Sequence, residues 1–125
     1  MPVATLSIPP SVEHVRTARL VAVAAARRSG LDEETVDDVR LAVGEAVARA
    51  VLRHGAAEIS THVDVVVRDD GHGFEVEVHD HSAPSVRDED DGIALALVEA
   101  LVPELRTHGE VLTLAWPATA STPPV

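Results

Sequence analysis

The sequence predicts an α+β fold, a two-layer sandwich of three helices on a mainly antiparallel sheet. Three observations predict it. Residues 11–55 carry apolar residues at helical spacing in two runs separated by Ser29-Gly30-Leu31. Residues 62–79 switch to period two around a glycine-containing turn, the pattern of a hairpin with one buried face. A third apolar helical run, 93–102, is followed by a closing strand, 111–116. Half-buried strands need a cover, and the helices supply it on one face, leaving the other wetter.

The elements follow in order. Ala4 to Ile8 alternates and reads as a first strand, ended by Pro9-Pro10. Ser11 is placed to cap a helix running to Arg28, with Gly30 as its stop. Asp32 caps the second helix, and Glu33 and Glu34 lie at its positive end. Its apolar stripe is Val36, Val39, Ala42, Val43, Ala46, Val47, Ala50 and Val51, and it closes near His54-Gly55. Val63, Val65 and Val67 face Phe74, Val76 and Val78 across Asp69-Asp70-Gly71-His72-Gly73. His81 to Asp91 has no periodicity, contains Pro84 and an acidic run, and is expected to be a mobile loop. Gly92 opens the third helix, Ile93 to about Val102. The last strand, Val111 to Trp116, is preceded by a short one at Leu105-Arg106-Thr107. Residues 1–117 are expected to form one domain and 118–125 a flexible tail.

Composition bounds the function. The chain has 125 residues, enough for a core without staples, and no cysteine, so disulfide and thiol chemistry are excluded and a reducing cytoplasm is expected. The start of the sequence lacks the basic and apolar regions of a signal peptide, and no stretch is long and uncharged enough to span a membrane. A net charge of −11 argues against direct nucleic-acid binding. Every basic residue is an arginine, which excludes a P-loop or Schiff-base lysine. Phe74 and Trp116 are the only aromatic residues, too few for a base-stacking platform.

Glu45 stands at the edge of the second helix's buried stripe, with Arg49 four residues later. That arrangement suits a site, and equally an ordinary i,i+4 ion pair with the glutamate first. Asp80 follows a strand and suits either a ligand acceptor or a strand-end turn. His79 and His81 are two apart, but no further ligand accompanies them, so no metal site is expected. His14, His54, His62, His72 and His108 are scattered, with solvent exposure the default. Asp88 to Asp91 lacks the spacing of a calcium loop, and no hydrolase nucleophile motif is present.

Three stretches together carry a family resemblance: Val39 to Val51, which contains Gly44-Glu45-Ala46; Val76-Glu77-Val78-His79-Asp80-His81-Ser82; and Asp91-Gly92-Ile93-Ala94-Leu95-Ala96-Leu97-Val98. In their order and spacing they resemble the N-box, the D-x-G motif and the G-x-G-L-x-L-V motif of the GHKL-type (Bergerat) ATPase domain of RsbW/SpoIIAB-like anti-sigma factors. The resemblance runs from about Val3 to Pro117. It implies that Glu45 matches the general base that activates a partner's serine. The position of the Mg²⁺-binding asparagine is Arg49, which cannot ligate a metal but can reach a phosphate. Asp80 matches the acceptor for the adenine amino group, although the glycine of that motif is Ser82. Gly92 is kept, whereas the second glycine is Ala94, whose methyl group hinders close approach of a triphosphate, and Ile93 stands where a basic residue is frequent.

The resemblance therefore implies a nucleotide site of Arg49, Asp80, Gly92 and Ala94, with no metal ligand, in which binding of ATP with Mg²⁺ is weakened or lost. The function it implies is that of a cytoplasmic, homodimeric anti-sigma-like regulator that binds a sigma factor and an anti-anti-sigma STAS-domain protein. The alternative is an active serine kinase of that STAS partner, in which Arg49 grips the phosphates and Glu45 serves as base. A third reading keeps ATP as a structural or regulatory ligand without transfer.

Overall fold

The alternating stretches of the chain pair into one sheet, and the helical stretches cover one of its faces. The computed structural model describes residues 3–56, 62–69, 71, 73–80 and 91–118, the side chains of 55–56 and 91–94 excepted. The elements are β1 (Val3–Ile8), α1 (Val15–Arg28), α2 (Glu33–Ala56), β2 (Val63–Asp69), β3 (Gly73–His79), α3 (Asp91–Leu101), β4 (Glu104–His108) and β5 (Val111–Pro117). The sheet order is β1-β2-β3-β5-β4, and every neighbouring pair is antiparallel. The short strand expected before the last one is present as β4, but it lies at the sheet edge. β5 passes inside it to pair with β3.

Local chemistry sets the helix boundaries. A 3₁₀ turn, Val12–His14, precedes α1; Ser11 is its N-cap residue but makes no side-chain capping bond, so it does not cap the α-helix as expected. At the other end of α1 the Leu31 N–H donates to the Ala26 carbonyl at 3.2 Å and the Gly30 N–H to the Arg27 carbonyl at 3.0 Å. Gly30 has φ 85°, which completes a glycine-stopped helix terminus. Asp32 caps α2 through Oδ1, which accepts the Thr35 N–H at 2.8 Å. In the hairpin turn Asp69 Oδ1 accepts the Gly71 N–H at 3.0 Å.

Both of these carboxyls are held below the usual aspartate range, Asp32 by its bond to Thr35 and Asp69 by its bond to Gly71. A depressed folded-state pKa contributes stability above the unfolded value, near 4, and that contribution is lost as pH falls through the folded value. Urea midpoints should therefore fall on acidification below about pH 4, and less steeply in Asp32→Asn. Identical acid limbs would show that the cap is not formed in solution.

The core is built from small residues. Ala18, Ala22 and Ala26 of α1 meet the valine and alanine stripe of α2, and beneath them lie Val63, Val65 and Val67 of β2, Phe74, Val76 and Val78 of β3, and Leu112 and Leu114 of β5. Val98 and Val102 bring α3 and its end into the same core. The outer face of the sheet is a polar ladder. Arg68 bridges to Glu77 at 3.0 Å, Glu77 accepts from His79 at 3.1 Å, and Arg106 links Glu75 at 2.8 Å and Glu104 at 3.0 Å. No helix among the described residues is long and apolar enough to cross a membrane.

Gly73 starts β3 opposite Pro117, and a Cβ there would stand 2.7 Å from Pro117 Cα and 2.8 Å from the Trp116 carbonyl oxygen. Both obstacles are backbone, so they cannot swing aside. Gly73→Ala should destabilise the fold by about 1–3 kcal/mol, measured by urea denaturation; an unchanged midpoint would refute this close approach.

One expectation needs adjusting at its edge. Asp91, expected in the loop, is the first residue of α3, so that helix begins before Gly92. The remainder of the expected loop, 81–90, and the tail beyond Ala118 lie outside the described residues.

Candidate functional site

The second helix positions the candidate site, because its apolar stripe is wide enough to be gripped from three sides. α1 packs along one flank, the sheet lies beneath, and α3 packs on another flank. The margin left uncovered carries Glu45, Arg49 and Arg53, four residues apart and so on one side of the helix, together with the exposed Leu41 and Leu52.

Glu45 is half-buried and faces the α1 side. It lines an open groove between α1 and α2 with Val12, Val15 and Leu41 as apolar lining, Arg16, Arg19 and Arg40 around them, and Glu13 as a second carboxylate. Val12 and Leu41 are 65% and 58% exposed, a substantial apolar surface at the groove. Arg40 pairs with Asp37, whereas Arg16 and Arg19 make no ion pair or hydrogen bond with a described residue. Gly44 shapes the groove: a Cβ there would stand 2.6 Å from Arg19 Cδ, so the missing side chain leaves the room in which the Arg19 stem lies. The expected i,i+4 pair is absent, since Glu45 makes no ion pair or hydrogen bond with Arg49 or with any other described residue. Arg49 is half-buried and is itself engaged in an interaction.

The last turns of α2 hold a second cluster. Asp80, immediately after β3, is fixed by its own N–H, which donates to the Glu110 carbonyl at 2.8 Å. Its carboxylate lies between two α2 side chains. Arg53 Nη1 is 3.4 Å from Oδ2, and His54 Nδ1 is 3.3 Å from Oδ1. The Arg53 and Asp80 side chains retain 12% and 11% of their exposure, so the ion pair is largely withdrawn from water. His54 is fully buried, against the expectation of an exposed histidine. Its Nδ1 is 2.8 Å from the Ala50 carbonyl, which places the ring proton on Nδ1. The buried Nε2 has no hydrogen-bond partner among the described residues.

Sequence reasoning singled out Asp80 but not the two residues that lie against its carboxylate. The available signal was Arg53, two turns beyond Glu45 on the same helix side. His54 gave none, because helix periodicity does not reveal which element packs over a helix end. Gly92 and Ala94 lie in the first turn of α3, while Ser82 and His81 fall outside the described residues. Among the described residues no group of three or more histidine, aspartate or glutamate side chains is placed to hold a metal.

Comparison with known proteins agrees with this architecture. Residues 8–116 match the family model described as histidine kinase-like ATPase domain. The chain is 25% identical over 123 residues to the serine-protein kinase RsbW of Oceanobacillus iheyensis, covering 84% of this chain and 78% of that protein. It is 26% identical over 122 residues to the serine-protein kinase RsbW of Listeria innocua, covering 83% and 78%. Among solved structures, the RsbU and RsbW domains of Rv1364c from Mycobacterium tuberculosis share the fold with a TM-score of 0.68 at 23% identity. That match covers 92% of this chain and 32% of the other. With three helices on a five-stranded antiparallel sheet and a family match over nearly its full length, the chain belongs to the histidine kinase-like ATPase domain family and is RsbW-like.

Proposed function

We propose that the protein is an anti-sigma-type regulator: a cytoplasmic homodimer that captures a sigma factor and is released by an anti-anti-sigma STAS-domain protein, with nucleotide binding weakened or lost. The observation that carries this reading is the groove between α1 and α2. It combines exposed apolar residues, Val12 and Leu41, with Arg16 and Arg19 on a chain whose net charge is −11. With Glu13 and Glu45 also on its lining, such a surface suits a partly apolar segment of another protein that brings acidic groups to Arg16 and Arg19. The loss of nucleotide affinity is supported by Arg49 at the position of the magnesium ligand and by the Asp80 carboxylate held against Arg53 and His54.

The test is capture. The purified chain is incubated with each sigma factor and STAS-domain protein of its own organism, with and without ATP. Capture without ATP, weakened at least tenfold by Arg19→Glu, is the expected result. Absence of capture, or capture indifferent to Arg19→Glu, would count against the groove.

One observation favours the second reading, an active serine kinase. Glu45 is half-buried and makes no ion pair with Arg49, so its carboxylate is not neutralised by that neighbour as a disabled base would be. If the chain transfers phosphate, transfer from Mg·ATP to a STAS protein should fall at least 100-fold in Glu45→Ala, as expected for loss of a positioned general base. A wild-type chain that leaves the STAS protein unphosphorylated would exclude this reading.

A further inference from the structure

Phe74 and Asp80 mark opposite ends of β3, and at the Phe74 end α1 does not close over the strands. An open cavity of ≈ 440 Å³ lies there, between α1 and the ends of β1 and β2. Small-molecule sites typically span about 300–1,000 Å³. The cavity shares no lining residue with the groove beside Glu45. Val21 and Ala25 line it from α1, and Ala4, Val67 and Phe74 from the sheet; Val67 and Phe74 are buried.

Four polar residues complete the lining, and three of them are already engaged. Asp69 Oδ1 accepts the Gly71 N–H at 3.0 Å, and the Ser29 side chain is hydrogen-bonded to the same carboxyl group. Arg68 donates to Glu77 through two hydrogen bonds, at 3.0 and 3.4 Å. Arg28 differs from these three. It is exposed and makes no ion pair or hydrogen bond with a described residue, Asp69 included. The cavity therefore offers an apolar interior and one unspent cation at its rim.

We propose that this cavity binds an apolar monocarboxylate, an acyl chain or aryl group bearing one carboxylate, with its body between α1 and the sheet and its carboxylate on Arg28. Contact with Val21, Val67 and Phe74 removes the apolar body from water, which supplies affinity in proportion to the area buried. The guanidinium fork matches a planar carboxylate and fixes the orientation. A second negative charge on the ligand would find no further unspent cation in the lining and would be repelled by Asp69. A cationic ligand would have to take Asp69 from Gly71 and Ser29 while Arg28 repelled it. The site goes beyond the regulator reading and does not depend on it.

The experiment is isothermal titration of octanoate, octanol and octylamine into the full chain and into Arg28→Gln, Ala24→Leu and Ala25→Leu, each checked by thermal melting. Octanoate should bind one per chain and at least fivefold more tightly than octanol, with octylamine the weakest. Arg28→Gln alters an exposed side chain, and it should reduce octanoate to the affinity of octanol while leaving octanol unchanged. The two leucine variants place added bulk at the α1 side of the cavity. Each folded one should weaken octanoate and octanol together, at least tenfold. Ala24 is exposed, so its variant keeps the test open if Ala25→Leu does not fold. Absence of octanoate binding to the wild-type chain would overturn the proposal. So would octylamine binding more tightly than octanoate, or octanoate binding indifferent to Arg28→Gln. Octanoate affinity unchanged in every folded leucine variant would place the ligand elsewhere and overturn it as well.

Discussion

Asp80→Ala should lower the unfolding free energy by about 1–3 kcal/mol, because it removes one of the groups that the largely buried guanidinium of Arg53 meets. The side chains of the pair are only 12% and 11% exposed, so water cannot replace the lost partner. Asp80 also joins two layers: its carboxylate meets the end of α2, and its N–H meets Glu110 beside β5. A carboxylate serving only as an acceptor for a ligand, and otherwise facing solvent, would cost within about 0.5 kcal/mol on removal. Urea denaturation separates the two cases through the midpoint at constant slope. Asp80→Asn should fall between wild type and Asp80→Ala, since the amide keeps the shape and an acceptor but not the charge. A midpoint unchanged in both variants would mean that the ion pair does not form in solution.

The second large effect is at the opposite end of the sandwich. Phe74→Ala should cost about 3–5 kcal/mol, the sum of lost burial and an unfilled cavity. Phe74 is buried opposite Trp116 in the β3–β5 register, with ring centroids 6.1 Å apart and planes inclined at 46°. A tilted aromatic pair adds about 0.5–1.5 kcal/mol beyond burial. Phe74 already lines an open cavity of ≈ 440 Å³ between α1 and the ends of β1 and β2, so the substitution enlarges a space that exists. Trp116 is the single tryptophan, so its emission reports the site directly and should shift to the red in the variant. A loss below about 1 kcal/mol, small for such a substitution, would show that this end of the core is loosely packed in the native protein.

The legible parts of this protein were those in which a few adjacent residues determine the outcome. The terminus of α1 at Gly30 and the cap of α2 at Asp32 are each set by groups within five residues of one another. The β2–β3 hairpin follows from an alternation that Val66 alone interrupts, because a slip of one residue would turn Val65 and Val76 outward. The Ser11 expectation failed for a local reason as well: the 3₁₀ turn places its residues between Ser11 and the α-helix proper.

At the candidate site the sequence offered positions but not their neighbours. Glu45, Arg49, Asp80, Gly92 and Ala94 could be named from motif order, since the elements bearing them follow from local periodicity. Their partners could not. Arg53 and His54 lie 26 or more positions before Asp80 in the chain, and no spacing rule relates a helix end to a strand end. His54 was misplaced on the surface because a histidine carries no mark of burial until the layer above it is known. The groove beside Glu45 likewise depends on how closely α1 crosses α2, which Gly44 permits and Arg19 exploits.

By itself, then, the sequence determined the α+β class, the identities and limits of most elements, and the family resemblance, all consequences of short-range periodicity, capping and motif order. Only the tertiary structure decided that β5 enters between β3 and β4, that Glu45 opens on a groove shared with α1 without pairing to Arg49, and that Asp80 lies against Arg53 and His54. The physical reason is common to all three. Each depends on which distant surfaces exclude water from one another, and that choice is made by the packing of whole layers rather than by any one stretch of chain.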